Sequence, residues 1–291
     1  MSSAESEPVG PVCDLDRPNV ARVYDYYLGG NTNWAIDREF GKTVLNHFPQ
    51  MRSIAMANRL FVNRAVRYLA RNGITQFIDV GSGMPAIGNT HEIANEIDSR
   101  SRVVYLDNEP VAVAHSQLLL ERCGDPMRHA AVNADLRKPD QLWERVDLAG
   151  VLDLDAPVAM LITSVLHVRQ PGPEGVDVGG NAVARCRELL ASGSFLVISH
   201  LTDDGVPEPS RSQLAALKKL YDTQSSPLIL RSTAQVRALF GDFELVEPGL
   251  AWTPRWHPEL RHSQEGPPTA PEIEFNTPSE SVTRAGVGKK L

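Results

Sequence analysis

The feature that most constrains the fold is an alternation, after Gly73, of short apolar runs with segments of helical length. Apolar runs of this kind are typical of strands that are buried on both faces of a parallel sheet. Repeated pairing of such a strand with a helix predicts an α/β fold with a doubly wound, mostly parallel sheet. Ligands of these sheets bind at the carboxyl ends of the strands. The predicted strands are Gln76–Val80, Arg102–Leu106, Arg128–Asn133, Val158–Thr163 and Ser194–His200, and the helices between them are Asn89–Ile97, Pro110–Arg122, Pro139–Val146 and Asn181–Leu190.

Three parts of the chain differ in pattern. Residues 1–16 are small, acidic and without periodicity, which predicts a disordered lead-in. Residues 17–72 have helical periodicity and are expected to form an N-terminal helical extension. Residues 73–291 are the core, with a Pro-rich excursion at about 248–280. Further elements of the core are predicted as helices at Glu208–Tyr221 and Ser232–Phe240 and as strands at Phe243–Val246 and Ser281–Lys289.

The helical extension carries an unusual run of arginines. Five arginines and no carboxylate lie between Met51 and Arg71, and Arg64, Arg67 and Arg71 line a stripe beside an apolar helix face. A solvated helix face is the expected role of such a stripe. Docking of a partner protein is the alternative.

Charge and the remaining composition exclude several classes of protein. The chain has 36 acidic and 29 basic residues, a net charge of −7, which argues against a protein held to nucleic acid by phosphate contacts. It lacks a signal-peptide pattern and an apolar run of about 20 residues, so we expect a cytoplasmic protein without a membrane segment. Cys13, Cys123 and Cys186 lie far apart without CxxC spacing, so no metal site is predicted.

A glycine motif follows the first predicted strand. In Asp79-Val-Gly81-Ser-Gly83, the glycines permit a tight turn and the close approach of a ligand to the backbone. Gly81-x-Gly83-x-x-Ala86 also matches the relaxed dinucleotide-binding pattern. An NAD(P)-dependent oxidoreductase is therefore one interpretation.

Two further aspartates favour a different ligand. Asp107 ends the second strand, where its carboxylate can accept hydrogen bonds from both hydroxyls of a ribose. Asp135 closes the third strand, where it can accept from the amine of adenine while Leu136 supplies an apolar contact. Acids before the glycines and at the ends of strands two and three are typical of S-adenosylmethionine (SAM) sites in Rossmann-like methyltransferases. Each aspartate alone could instead cap the following helix.

Four segments make the resemblance more specific: residues 17–34, 56–70, 77–94 and 103–115. With their Tyr-x-x-Gly-Gly-x-x-Asn stretch, which begins at Tyr26 in this chain, they resemble a bacterial SAM-dependent methyltransferase family long catalogued only as a domain of unknown function. The resemblance implies a seven-stranded class I methyltransferase core whose last strand is antiparallel. It implies SAM as cofactor, with S-adenosylhomocysteine as product, and leaves the methyl acceptor undefined.

The resemblance also implies roles for individual residues. Asp79, Gly81 and Gly83 would surround the methionine part of SAM, and Asp107 would hold the ribose. Asn108 would lie beside the adenine, and Asp135 and Leu136 would complete its pocket.

One departure from the pattern concerns the glycine loop. Met84-Pro85 follows the glycines, which stiffens the loop and removes one N–H donor. Help in binding the methionine part is therefore expected from Arg22, Tyr27 and Asn33 of the extension, although these side chains could also serve packing and turns.

The end of the fourth strand normally faces the transferred methyl group. Here it reads Thr163-Ser164-Val165-Leu166-His167, which makes Ser164 a candidate contact of the cofactor and His167 the first candidate general base. His200, at the end of the fifth strand, is the second. Methyl transfer is an in-line displacement that depends mainly on positioning, and either histidine could instead be a structural residue.

The same segment narrows the acceptor. It lacks the Asp/Asn-Pro-Pro-aromatic motif of enzymes that methylate the amines of bases, and Cys186 follows an arginine rather than the proline that cytosine C5 enzymes need. A small-molecule acceptor that undergoes O- or N-methylation is therefore predicted. A non-catalytic SAM sensor, or a protein that docks a partner through the arginine stripe, is the remaining alternative.

Overall fold

The computed structural model describes residues 16–86, 88–260 and 275–291. The predicted lead-in, except for its last residue, lies outside these ranges, as do Cys13 and residues 261–274 of the Pro-rich excursion.

An eight-stranded sheet forms the centre of the described structure. Its first five strands are parallel and lie in the order β3-β2-β1-β4-β5, and β8 joins β5 in antiparallel pairing. The predicted fold class is therefore confirmed. The sheet has one strand more than the predicted seven, because the two-residue strand β7 pairs with β8 within the Pro-rich excursion. The strands are β1 Gln76–Val80, β2 Arg102–Asp107, β3 His129–Asn133, β4 Ala159–Thr163, β5 Phe195–Leu201, β6 Glu244–Leu245, β7 Ala251–Trp252 and β8 Thr283–Lys289.

Helices connect the strands and form the N-terminal extension. Their ends follow the expected chemistry: Pro110 occupies the first turn of α5, and Ser232 and Gln235 make a capping box at α9. Within the described ranges, every helix is too short or too polar to cross a lipid bilayer. The helices are α1 Val20–Tyr27, α2 Ala35–His47, α3 Met51–Arg71, α4 Thr90–Ile97, α5 Pro110–Cys123, α6 Pro139–Leu148, α7 Gly179–Leu189, α8 Ser210–Gln224 and α9 Thr233–Ala238.

Each face of the sheet is covered by its own apolar layer. Alternate residues of a strand point to opposite faces, so Ile78 packs with α6 and α7, whereas Phe77 packs with α3 and α4. The long helix α3 is thus part of the main core, although it precedes the first strand in the chain. Cys186 is fully buried in the first layer, where burial raises the pKa of its thiol to about 12, so that it stays protonated.

The other helices of the extension lie over the carboxyl ends of the strands. A third apolar cluster joins α1, α2 and the start of α3 to α8, and includes Tyr27, Leu217 and Tyr221. The extension is therefore held to the core by α8, which comes almost 200 residues later in the chain. This packing places a roof over the edge of the sheet at which ligands of such folds bind.

The prediction of a solvated arginine face is wrong for its central members. Arg64 and Arg67 are buried, and Arg64 donates hydrogen bonds to the carbonyls of Trp256 (2.8 Å) and Thr253 (2.6 Å). Arg67 pairs with Glu96 at 3.2 Å. Both guanidinium groups are bound within the fold. Arg64 and Arg67 are therefore not part of a surface on which a partner protein could dock.

Candidate active site

A cavity of about 500 Å³ lies along the carboxyl ends of the strands. It extends from the ends of β2 and β1, past the end of β4, to β5 and α8, with α1 and the first half of α3 as its roof. Its position is the one expected for the ligand of a doubly wound sheet. We call the part near Asp79, Gly83 and Asp107 the β2 end and the part near Leu201, Leu217 and Tyr221 the α8 end.

The glycine loop after β1 forms the floor of the β2 end. Gly81 and Gly83 have positive φ angles of +67° and +65°. A Cβ atom on Gly81 would lie 2.4 Å from a methyl carbon of Val165, so this position is closed to side chains by space as well as by conformation. Asp79 is buried before the loop and accepts a hydrogen bond from the Thr90 hydroxyl at 2.7 Å.

Asp107 is the most constrained acid of the site. One carboxylate oxygen accepts the backbone N–H of Gly83 and the other accepts that of Glu109, both at 2.8 Å. Burial raises the pKa of Asp107 to about 6, although these hydrogen bonds favour its ionised form. Asn108, beside it, also lines the cavity. The carboxylate thus links the ends of β1 and β2 directly.

Asp135 and Leu136, which the sequence analysis assigned to one adenine pocket, lie differently after the end of β3. Leu136 is buried and lines the cavity, as does Arg137, whereas Asp135 does not. The carboxylate of Asp135 is instead held by its neighbour, with 2.6 Å between Oδ2 and a guanidinium nitrogen of Arg137. Asp135 thus does not line the cavity itself, and its contacts with Arg137 organise the turn after β3.

The three residues of the extension that were predicted to help bind the cofactor also differ in whether they line the cavity. Tyr27 lines the cavity at its α8 end, and its hydroxyl lies 3.2 Å from that of Tyr221. Arg22 and Asn33 do not line it. Arg22 is fully buried, where it pairs with Asp37 at 2.7 Å.

Asn33 and Arg22 thus stabilise the roof without lining the cavity. The Asn33 amide donates to Asp25 at 2.7 Å, and that carboxylate also accepts the backbone N–H of Thr32. Arg22 stacks on Trp34, with 3.8 Å between its guanidinium carbon and the ring centroid. Both residues orient α1 and the loop after it, and neither lines the cavity.

The end of β4 brings Ser164 and His167 to the cavity wall. Ser164 has a positive φ angle of 58°, and its N–H donates to the hydroxyl of Ser199 at 3.0 Å. Nδ1 of His167 is enclosed and has no hydrogen-bond partner among the described residues. Burial and the neighbouring His200 and Arg231 lower the pKa of His167 to about 3, so its ring is neutral at physiological pH.

His200, the second candidate base, does not line the cavity. Its Nδ1 lies 2.7 Å from the carbonyl of Leu201, and its Nε2 lies 2.6 Å from a guanidinium nitrogen of Arg231. Both ring nitrogens are therefore engaged. Arg231 also donates to the carbonyl of Leu166, so this group braces the loop that carries His167.

Sequence reasoning missed several charged residues that line the cavity, among them Arg59. It lines the cavity from α3 and donates a 2.6 Å hydrogen bond to the carbonyl of Gly88. Burial raises the pKa of Asp79, and the positive charge of Arg59 opposes part of that rise. The available signal was helical spacing, because Met51, Ala55, Arg59 and Val62 recur on one face of α3, and all four line the cavity.

Comparisons with known proteins agree with this geometry. A family model described as S-adenosyl methyltransferase matches residues 7–291. The chain belongs to the S-adenosyl methyltransferase family. SAM is therefore the cofactor of this methyltransferase, and the resemblance seen in the sequence is confirmed. The family excludes the NAD(P)-dependent oxidoreductase and favours an enzyme over a non-catalytic sensor.

Solved structures support the family assignment. A candidate methyltransferase from Thermobifida fusca is 33% identical, with 95% of this chain and 96% of that chain covered and a TM-score of 0.79. A DUF574 family protein from Streptomyces avermitilis is 32% identical, with 95% and 98% covered and a TM-score of 0.81. An O-methyltransferase family protein from Burkholderia thailandensis, 11% identical over 83% of this chain and 58% of that chain, shares the fold at a TM-score of 0.50. No curated protein matches the sequence significantly.

Proposed function

We propose that this methyltransferase methylates a small molecule that binds beside SAM in the roofed cavity. The observation that carries the proposal is the composition of the cavity, which has carboxylate and guanidinium side chains at its β2 end, among them Asp79, Asp107 and Arg59, and mainly apolar side chains at its α8 end. Its volume of about 500 Å³ lies in the range of small-molecule sites, about 300–1,000 Å³. The roof of α1 and the first half of α3 favours a small acceptor over a nucleic acid or protein.

The β2 end fits the adenosine part of SAM. Each carboxylate oxygen of Asp107 accepts one backbone hydrogen bond and keeps a second lone-pair site, so the two oxygens match the two ribose hydroxyls. Asn108 and Leu136 supply an amide and an apolar surface for the adenine. Asp107 is thus proposed to hold the ribose, and the turn at Asp135 is proposed to act only through Leu136 and Arg137.

The methionine part of SAM carries an ammonium group and a carboxylate, and the site offers one partner for each. Asp79 lies next to the glycine loop and is proposed to accept from the ammonium group. Arg59 is proposed to bind the carboxylate, since guanidinium groups match carboxylates in geometry and charge. Arg59 thereby supplies the donor that the loop loses at Pro85.

When bound, SAM supplies a methyl group that is electrophilic because it is attached to a sulfonium. The protein then has to hold the acceptor in line, exclude water and accept a proton. Ser164 and His167, at the end of β4, lie between the two ends of the cavity and are proposed to contact the acceptor. The buried network around His200 and Arg231 would keep His167 in place.

Two experiments test the proposal. Calorimetry with S-adenosylhomocysteine should show binding to the wild type and strongly weakened binding to Asp107→Ala. Radiolabelled methyl-SAM is then incubated with the enzyme and, in separate reactions, with the dialysable and the retained fraction of a bacterial extract, and unreacted SAM is removed by chromatography. A labelled product should form with the dialysable fraction, and labelling of only the retained protein or nucleic acid would overturn the small-molecule assignment.

A further inference from the structure

The α8 end of the cavity has a wall that is largely apolar. Side chains from four separate parts of the chain meet there, and most of them are buried in the cluster that joins the roof to the core. Burial of apolar ligand surface is the main favourable contribution that such a wall can make. The apolar residues of this wall are Leu28, Met51, Ile54, Leu201, Leu217 and Leu228.

Two tyrosine hydroxyls interrupt this apolar wall. Those of Tyr27 and Tyr221 are 3.2 Å apart, and both side chains are more than nine-tenths buried. One hydroxyl donates to the other, so the proton of the accepting hydroxyl is left without a partner among the described residues. Burial raises the pKa of both tyrosines, which keeps them neutral. The pair therefore offers one hydrogen-bond donor to a ligand.

A neutral imidazole lines the cavity beside this wall, at the end of β4. His167 is uncharged, and its enclosed Nδ1 has no partner in the described part of the chain. A neutral imidazole carries one donor and one acceptor nitrogen. The cavity therefore combines the hydroxyl donor of the tyrosine pair with an uncharged imidazole beside it.

Charged groups near this end are already engaged within the protein. Arg169 is exposed and donates to the carbonyl of Gly175. Asp25 is turned toward the loop after α1, where its carboxylate accepts from Thr32 and Asn33. A charged ligand would therefore lose its hydration and would have to displace these contacts before it could form an ion pair.

We propose that the α8 end is the acceptor subsite and that it takes an uncharged, apolar ring compound that presents a hydroxyl group for O-methylation. This inference rests on the proposed function, since it names the acceptor class of the same cavity. The tyrosine pair would donate a hydrogen bond to the oxygen that reacts, and His167 would take the proton of that hydroxyl.

The chemistry is balanced without another reactant. The acceptor oxygen attacks the methyl carbon, the carbon–oxygen bond forms as the carbon–sulfur bond breaks, and S-adenosylhomocysteine leaves. The hydroxyl proton passes to His167 and then to water. A weakly basic histidine suffices because the oxygen becomes strongly acidic as it gains the methyl group, so the proton moves late.

Three probes that share one ring system test this assignment: 2-naphthol, 2-naphthoate and 2-naphthylmethylamine. Their binding to the enzyme saturated with S-adenosylhomocysteine is measured by calorimetry, and methyl transfer is measured separately. We expect 2-naphthol to bind at least about 10-fold more tightly than either charged probe. The double variant Tyr27→Phe/Tyr221→Phe should weaken 2-naphthol about 3- to 10-fold, with unchanged affinity for S-adenosylhomocysteine.

Tyr26→Phe is the matched control, because Tyr26 lies on the same helix and does not line the cavity. Its affinity for 2-naphthol should equal that of the wild type. Equal or tighter binding of a charged probe, or no binding of 2-naphthol to a protein that does bind S-adenosylhomocysteine, would overturn the acceptor class. If S-adenosylhomocysteine itself does not bind, the proposed function fails and the acceptor class fails with it.

Discussion

Asp107 at the β2 end of the cavity is held by the backbone, whereas the tyrosine pair at the α8 end is held by contacts between side chains. Both oxygens of Asp107 accept N–H groups from the turns after β1 and β2. The hydroxyls of Tyr27 and Tyr221 bond to each other, and the two residues belong to helices almost 200 residues apart in the chain. The first arrangement is built into the sheet, and the second depends on the packing of the roof against α8.

This difference indicates how the two ends can vary. A change of side chain at the α8 end alters the wall of the cavity without disturbing a backbone turn, so acceptor preference can change while the fold is kept. The β2 end has no such freedom, because its ligand-facing acid also organises the glycine loop. One fold can therefore keep one cofactor and take different acceptors.

The largest effect is expected from Asp107→Ala. Loss of two charge-assisted hydrogen bonds, each worth about 1.5–3 kcal/mol, should weaken S-adenosylhomocysteine at least about 100-fold. Asp135→Ala is the matched comparison, since this acid also ends a strand but does not line the cavity. It should change the affinity less than about 5-fold. Equal losses in the two variants, measured by calorimetry, would contradict the assignment of the ribose to Asp107 alone.

A second prediction concerns the backbone of the β2 end. Gly81→Ala should cost about 2–5 kcal/mol of unfolding free energy, because positive φ costs about 1–2 kcal/mol and the overlap with Val165 adds about 1–3 kcal/mol. Gly150 has the same φ of +67°, and an added Cβ would meet nothing within 4 Å, so Gly150→Ala should show the first cost only. Urea unfolding of both variants gives the difference. Similar losses would mean that Val165 moves aside freely.

Much of the fold and of the β2 end could be predicted from the sequence. Parallel strands buried on both faces appear as continuous apolar runs, and β1 begins and ends at the predicted residues. The carboxyl ends of neighbouring strands meet at one edge, so Asp79 and Asp107 could be placed together from their positions alone. The strand β7 was missed because it has two residues and lies among prolines.

The other parts of the site depend on contacts between distant segments. Arg64 is buried because two carbonyls near Trp256 accept its hydrogen bonds, and no local pattern in α3 reveals them. Arg22 and Asn33 were expected to reach a ligand, but Asp37 and Asp25 hold them behind the roof. The sequence showed which residue types were present and could not show which of the five arginines faces the cavity.

A third prediction uses Arg59, the arginine of α3 that lines the cavity, to test the binding of the methionine part and of the adenosine part separately. Arg59→Met should weaken S-adenosylhomocysteine about 10- to 30-fold, through loss of a charged hydrogen bond to the carboxylate. It should leave adenosine, which lacks the methionine part, unchanged. Asp107→Ala should weaken both ligands. Arg71→Met, on the exposed end of the same helix, is the control. Equal weakening of both ligands by Arg59→Met would move Arg59 away from the methionine part.

The smallest effect is a difference in pH dependence between the two ends. Burial raises the pKa of Asp107 to about 6, so about nine-tenths of this carboxyl is protonated at pH 5. Adenosine, which does not titrate in this range, should therefore bind about 10-fold more weakly at pH 5 than at pH 7. His167, whose pKa is lowered to about 3 by burial, keeps its charge state over the same interval. Binding of 2-naphthol to enzyme saturated with S-adenosylhomocysteine should stay constant.

The direction in which the free energy of unfolding changes with pH distinguishes this effect from acid unfolding. Because the folded pKa of Asp107 is raised, the folded protein binds more protons than the unfolded chain between about pH 4 and 6. Acidification through this window therefore adds stability to the ligand-free wild type relative to Asp107→Asn, which does not titrate. The relative gain in the free energy of unfolding is measured in urea at each pH. If it accompanies weaker adenosine binding, Asp107 is identified as the group that titrates. Loss of both binding and relative stability would instead mean that the β2 end unfolds locally in acid.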